Sequence, residues 1–440
     1  MASTYLSRTQ GSATNRKKFT ISVWFKISNS SSPANLISAG TSYANDMDYL
    51  TIGSGGGLSL EAYQGGTSYR LRPNRLFRDT NAWYHLVIAF DSTQATSSDR
   101  MKMYLNGEQI TSFSTTTYPS LNFEPQFNNN VTHMIGRNLD GSEYFNGSMS
   151  HVHFIDGTAY DASAFGQYDA NGVWTIKTSP SVTYGTNGFF ILKDGNSVTD
   201  QSGNSNNYTV GGGTLTNTED NPSNVFATFN ALYNSNQNLS NGNLSATNTT
   251  STWNSRATTL AGSSGKYYAE YKVASPGTSY HMLGVGTVED IDPSDHAGTG
   301  TGTVAVYSQN GYKYVEGTDS AYANTYGDGD IIGIALDLDN NYVYFSKNGT
   351  WQNSGDPTSG ATGTGGISLP TTGTYAFTES VRSTSSSNSK VDANFGNGYF
   401  GTTAVATNSG NGYQDADGNG IMNYSVPTNY RCLCTKGLNQ

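Results

Sequence analysis

Four pairs of aspartates carry the chemistry this chain could most simply perform: Asp46 with Asp48, Asp290 with Asp292, Asp328 with Asp330, and Asp337 with Asp339. Residues two apart on a strand point to one face, so each pair would set two carboxylates side by side. A retaining glycoside hydrolase needs two such groups about 5 to 5.5 Å apart, one as nucleophile and one as general acid. None of the four pairs gains a third carboxylate at the spacing needed to support it. Asp337 and Asp339 also fall where a hairpin must turn, which assigns them to structure. The sequence holds no G-x-S-x-G, H-E-x-x-H or phosphate-loop pattern. The chain is expected not to be an enzyme.

A metal has one loop to consider. D-A-D-G-N-G, from Asp415 to Gly420, places oxygen ligands at alternate positions, Asp415, Asp417 and Asn419, ahead of a turn glycine, as in the first half of a calcium loop. The bidentate glutamate of such a loop would fall at residue 426, which is Val426. An Asp/Asn/Gly turn is therefore the expected reading. No cofactor is expected, calcium being the one cation whose ligand pattern the loop approaches; Asp46 and Asp48 are a second candidate for it. Cys432 and Cys434, at i and i+2, form too short a ring for a good disulfide and read as free thiols.

Glycan recognition would use aromatic faces against sugar rings, with Asn, Asp and Gly on loops orienting the hydroxyls. Trp253, Tyr280, Tyr322 and Trp351 fall in or beside expected loops of the second half, and Tyr43 and Tyr63 in those of the first. Trp24 and Trp83 lie within strands and read as packing residues. The one basic run, Arg70, Arg72, Arg75 and Arg78, reads as an edge strand and loop, with an anion or acidic glycan as the alternative contact.

The elements that position these residues are strands. In Lys17–Ser28, Phe19, Ile21, Val23, Phe25 and Ile27 alternate with Thr20, Ser22, Trp24 and Lys26. From Gly327 to Trp351, Ile332, Ile334, Leu336 and Leu338, then Val343 and Phe345, flank Asp339, Asn340 and Asn341, a hairpin with its turn. No stretch sustains a helical apolar period; one turn is expected at 161–165 with Asp161 as its cap. The 440 residues, 51 glycines, 30 tyrosines and 13% charged residues fit a turn-rich all-β protein. The fold expected is two antiparallel β-sandwich, jelly-roll-like domains in tandem. The boundaries are 1–210 for the first domain, 211–240 for a packed connecting segment, 241–397 for the second domain and 398–440 for a C-terminal segment. The net charge of -10 argues against nucleic acid, and no apolar run suits membrane insertion.

Three resemblances follow. The order F-T-x-S-x-W from Phe19, W-Y-H-L from Trp83, Y-L-N-G from Tyr104, I-G-R from Ile135 and F-N-G from Phe145 resembles the laminin-G and pentraxin class of concanavalin-A-like lectin folds. The hydrolases of that class use E-x-D-x-x-E, which this sequence does not match. G-D-x-I-G-x-x-L-D from Gly329, followed by F-S-K-N-G from Phe345, resembles the central hairpin of SPRY domains, which are binding modules. The opening YLSRTQGSATNRKKFTISVW, the middle TLTNTEDNPSNVFATFN and the closing Y-x-x-L-C-T-K-x-L from Tyr430 resemble large surface proteins of marine tailed-bacteriophage virions.

That last resemblance implies synthesis in the host cytoplasm and a place in the virion, on a tail fibre, head fibre or similar appendage. Its implied partners are other virion proteins and host-surface polysaccharide. Exposed sheet edges and a many-copy role suggest a homo-oligomer, a trimer by preference. The leading expectation is a non-catalytic adhesin; the alternatives are an architectural decoration protein that binds only other virion proteins, and a polysaccharide-degrading enzyme with an unusual site.

Overall fold

The computed structural model describes residues 3–43, 45–193, 197–233, 235–275, 280–384, 388–405 and 413–438. The chain is nearly all β, with 44% strand and 4% helix, and it divides into two compact units, Met1–Asn217 and Thr218–Gln440. No helix among the described residues is long and apolar enough to cross a membrane.

The first unit is a sandwich of two antiparallel sheets. One runs, in spatial order, Phe113–Thr117, Thr67–Pro73, Leu58–Gln64, Asp46–Ile52, Ala34–Ser42, Thr132–Ile135, Tyr5–Thr9 and Thr209–Gly211. The other runs Phe189–Ile191, Gly147–Asp156, Lys18–Ile27, Tyr84–Asp91, Met101–Leu105 and Glu108–Gln109. Their facing apolar sides form the core, with Phe19, Ile21, Val23, Phe25 and Ile27 from the central strand. Alternation predicts a wet opposite face for that strand, yet Thr20, Ser22, Trp24 and Lys26 are buried too.

The reason is a cover over the second sheet. Thr20 Oγ1 donates to the Thr158 carbonyl at 2.8 Å and accepts from the Tyr160 N–H at 2.8 Å. The hairpin made by Gly166–Tyr168 and Trp174–Ile176 then brings Trp174 down, and its Nε1–H donates to His85 Nδ1 at 2.9 Å. With Nδ1 accepting, Nε2 carries the His85 proton and donates to Ser22 Oγ, 2.9 Å away. Trp24 stacks on the same imidazole at 4.6 Å. The indole fits because residues 107 and 166 are glycines: a Cβ on either would come within 2.5 or 2.4 Å of the Trp174 ring. The expected turn at 161–165 is a single 3-10 turn, Ala162–Ala164, with the Asp161 side chain accepting the Ser163 N–H.

The second unit is also a sandwich. One sheet runs Asn238–Ser240, Ser245–Asn248, Ser389–Asn394, Lys266–Val273, Ile331–Asp337, Tyr342–Lys347 and Thr350–Trp351. The other runs Asn254–Ala257, Tyr375–Arg382, Tyr280–Thr287, Thr303–Tyr307, Tyr312–Val315 and Thr318–Ala321. The hairpin read from the sequence is present: Ile334 faces Phe345, Leu336 faces Val343, and Asn341 takes the left-handed turn position at φ 62°. Asp337 accepts from the Asn340 N–H and from Lys266 Nζ, and Asp339 accepts the Gly265 N–H.

Residues beyond 398 complete this unit. Arg431–Cys432 pairs in parallel with Lys266–Val273, and Phe226 bridges to Cys434. Buried Glu270 clamps the same segment, its two oxygens accepting the N–H groups of Asn423 and Tyr424, each at 2.8 Å. Burial pushes the Glu270 carboxyl up to about 7, against the pull of those bonds and of Tyr268 and Asn394. Both cysteines are free and buried.

Burial, with the nearby His151, holds the His85 imidazole down to about 3, so the folded chain keeps it neutral while the unfolded chain protonates near 6.5. Because the folded value is the lower one, stability is full above 6.5 and falls as the pH drops, by up to about 1.4 kcal/mol per pH unit for this group. His85→Gln should be less stable than wild type at pH 7 but should lose stability less steeply between pH 6.5 and 4. Urea unfolding of both proteins across that range measures the difference; parallel pH curves would show that His85 already charges in the fold.

Candidate functional site

Along Asp46–Ile52, Leu58–Gln64 and Thr67–Pro73, the residues that alternate with the core set face outward from the first unit's larger sheet. The register sets Tyr49 beside Glu61 and Glu61 beside Arg70. Above them lies a groove of about 550 Å³, bordered by Tyr43, Leu76, Asn138 and Glu143, with Tyr49, Glu61 and Arg72 in its floor. Tyr43 and Leu76 are 43% and 44% exposed, so apolar surface meets solvent at its edge.

The floor is organised by one carboxylate. Glu61, with its side chain 1% exposed, accepts from Tyr49 Oη at 2.8 Å, Arg70 Nε at 2.7 Å, Arg72 Nε at 2.8 Å and the Ser59 hydroxyl. Burial pushes its pKa up, but the bonds from Ser59, Tyr49, Arg72 and Arg70 outweigh that and hold it below the ordinary value. A general acid must hold a proton near the working pH, and Glu61 does the reverse. On the rim, Glu143 accepts from the side-chain amides of Asn35 and Asn138. The groove thus offers tyrosine rings, side-chain amides and charges that balance across floor and rim, Glu61 and Glu143 against Arg70 and Arg72, which suits a polar, uncharged ligand.

The expected site residues of the second unit separate into two groups. Trp253 and Tyr280 meet on the outward face of the smaller sheet, ring centroids 6.4 Å apart, with the Arg382 guanidinium 4.4 Å from the Tyr280 ring and 5.6 Å from Trp253. Tyr322 and Trp351 do not join them. Tyr322 packs against the core, its ring 6.1 Å edge-on from Phe345 and its hydroxyl donating to the Gly365 carbonyl at 2.9 Å. Trp351 lies in the short strand Thr350–Trp351, 6.4 Å from Tyr268, against the buried cluster that includes Cys432 and Cys434. Both pack against buried clusters, Tyr322 from the segment after Thr318–Ala321 and Trp351 from its short strand. Tyr63 lies in a strand and stacks on Tyr49 at 6.3 Å.

The loop from Asp415 to Gly420 spends its oxygens on the chain itself. Asp415 accepts the N–H groups of Asp417, Asn419 and Cys432, Asp417 pairs with Arg431, and the Asn419 side-chain oxygen accepts from Asn224 at 3.4 Å. It is a turn that anchors the strand at Cys432. In the first unit, Asp46 accepts from Thr41 and Gln126, and buried Asp48 accepts the Phe127 N–H at 2.7 Å. Burial pushes Asp48 up to about 7 despite hydrogen bonds. Among the described residues, no three His, Cys, Asp or Glu side chains gather as a metal site.

Sequence reasoning missed Glu61, although a signal for it exists. Gly65 and Gly66 mark a tight turn, with Gly65 at φ 70°; an even count outward from them puts Glu61 opposite Arg70, the pairing the structure has beyond a bulge next to Tyr63. The arginine run is therefore in part the counter-charge of a buried glutamate.

Residues 2–163 match the family model of the concanavalin A-like lectin/glucanases superfamily, and residues 266–369 match that of the SPRY domain. The chain carries a concanavalin A-like lectin domain followed by a SPRY domain, β-sandwiches in tandem. Similar solved structures include the SPRY domain of human HERC1, at 16% identity and TM-score 0.31, covering 38% of this chain and 96% of that one. A second human SPRY domain is 13% identical with TM-score 0.28, covering 34% and 90%. The heptameric SAP-like pentraxin of Limulus polyphemus is 17% identical with TM-score 0.28, covering 36% and 71%. No curated protein matches the chain.

Three outcomes test these assignments. Tyr322→Ala should destabilise the second unit by about 3 kcal/mol, the lower end for truncating a packed aromatic, as read by urea unfolding. Asp415→Ala should cost about 1 to 3 kcal/mol by orphaning backbone N–H groups. Wild type should melt at the same temperature in calcium and in chelator; a calcium-dependent rise that Asp415→Ala abolishes would make the loop a metal site.

Proposed function

We propose that this chain is a surface component of a bacteriophage particle and acts there as a non-catalytic adhesin for host-surface glycan. The observation that carries the reading is the groove on the lectin-like unit: a tyrosine-edged cleft of about 550 Å³ whose buried glutamate is held ionised by two arginines. Such a floor orients hydroxyls by hydrogen bonding and withholds the protonated carboxyl that glycoside cleavage requires. The particle assignment is supported by the opening, middle and closing motifs quoted from the sequence, and other virion proteins are the partners that would hold the chain in place.

Glycan-array binding by the purified chain tests the proposal. Tyr43→Ala should weaken the best neutral glycan by about 1 to 2 kcal/mol, the scale of truncating an aromatic contact, and should leave the melting temperature unchanged. Binding to capsid or tail proteins with no glycan bound would favour the architectural role. Release of reducing ends from host polysaccharide would overturn the non-catalytic assignment.

A further inference from the structure

At one end of the second unit's smaller sheet, four side chains line up across neighbouring strands. Tyr280 is the register partner of Arg382, and Asn254 opposite Val381 brings Trp253 alongside Arg382. Met282 opposite Tyr307 sets Tyr307 diagonal to Tyr280, with their rings 6.4 Å apart and 22° from parallel. Trp253 is 6.0 Å from Tyr307. The row faces away from the core and is half-buried.

Arg382 differs in its partners from the other paired arginines of this unit. Arg256 donates to the carbonyls of Asn230, Tyr233, Ser235 and Gln237, and Arg431 pairs with Asp417. The Arg382 guanidinium rests on two aromatic rings and, among the described residues, pairs with no carboxylate. Ring contact holds its plane and strips part of its hydration, and among the described residues its N–H fork meets no hydrogen-bond acceptor. That fork matches a carboxylate or sulfate group in two parallel hydrogen bonds. His296 lies 5.3 Å from Trp253, and Asp295 Oδ1 is 4.0 Å from His296 Nε2.

We infer that Arg382, Trp253, Tyr280 and Tyr307 form a second saccharide site, one that takes the carboxylate or sulfate ester of an acidic polysaccharide. The preference for a saccharide over an acidic peptide rests on the adhesin reading; the anion specificity rests on Arg382 alone. The chain as a whole is acidic at -10, so the attraction is local and should weaken with salt.

The full chain, Arg382→Gln, Arg382→Lys and Tyr43→Ala are titrated with alginate, dextran sulfate, neutral dextran and polyglutamate. The expected result is that Arg382→Gln loses tenfold or more in affinity for alginate, for dextran sulfate or for both, and that Arg382→Lys, which keeps the charge and the ring contact, recovers part of it. The two anionic polymers separate carboxylate from sulfate recognition. Full anionic affinity in Arg382→Gln would overturn the site, and so would binding of polyglutamate without either polysaccharide. Tyr43→Ala separates this proposal from the groove: it should leave acidic binding intact, so loss of groove binding and loss of Arg382 binding fail independently.

Discussion

Both candidate surfaces of this chain depend on the alternation of side chains along its strands. A slip of one residue in Leu58–Gln64 would turn Leu60 and Ala62 out to solvent and drive Glu61 into the apolar interior. The groove and the core are thus two faces of one register, which also aligns the arginines with the carboxylate they bond. The same holds in the second unit, where Val381 packs inward while its neighbour Arg382 faces the aromatic row.

A second theme is the use of buried carboxylates as fasteners. Glu270 and Asp415 each take two or more backbone N–H groups from the C-terminal segment, and Asp156 takes those of Thr14, Asn15 and Asn187 in the first unit. A carboxylate can satisfy several donors at once, which lets irregular chain lie against a sheet without orphaned amides. Asp415, first of the acidic residues in the loop up to Gly420, is one such joint, as it ties that loop to the strand at Cys432.

The all-β architecture was legible because apolar alternation and turn chemistry are local signals, as the Ile331–Asp337 and Tyr342–Lys347 hairpin demonstrates. Contacts made by distant segments were not. Nothing near Thr20 announces that Tyr160 will bond it, nothing near His85 that Trp174 will close over it, and nothing near Tyr322 that its hydroxyl will reach Gly365. Trp253 and Tyr280 were legible as aromatics, but their partner Arg382 came into view only with the strand register. The groove's polar floor was within reach of a count from the double-glycine turn.

The parallel pairing of Tyr267 and Tyr268 with Arg431 and Cys432 bears on how the second unit is made. A central strand of its sheet finds this partner only after the intervening hairpins have been synthesised. The loop that must close is long, and such distant pairings slow folding. During synthesis the outer face of Lys266–Val273, with Tyr268 on it, lacks the tail that will cover it. The first unit, whose opening strand needs only residues up to Gly211, can be closed by then. The interval between the two closures is when the nascent chain exposes the most apolar surface, and when chaperone protection matters most to its yield.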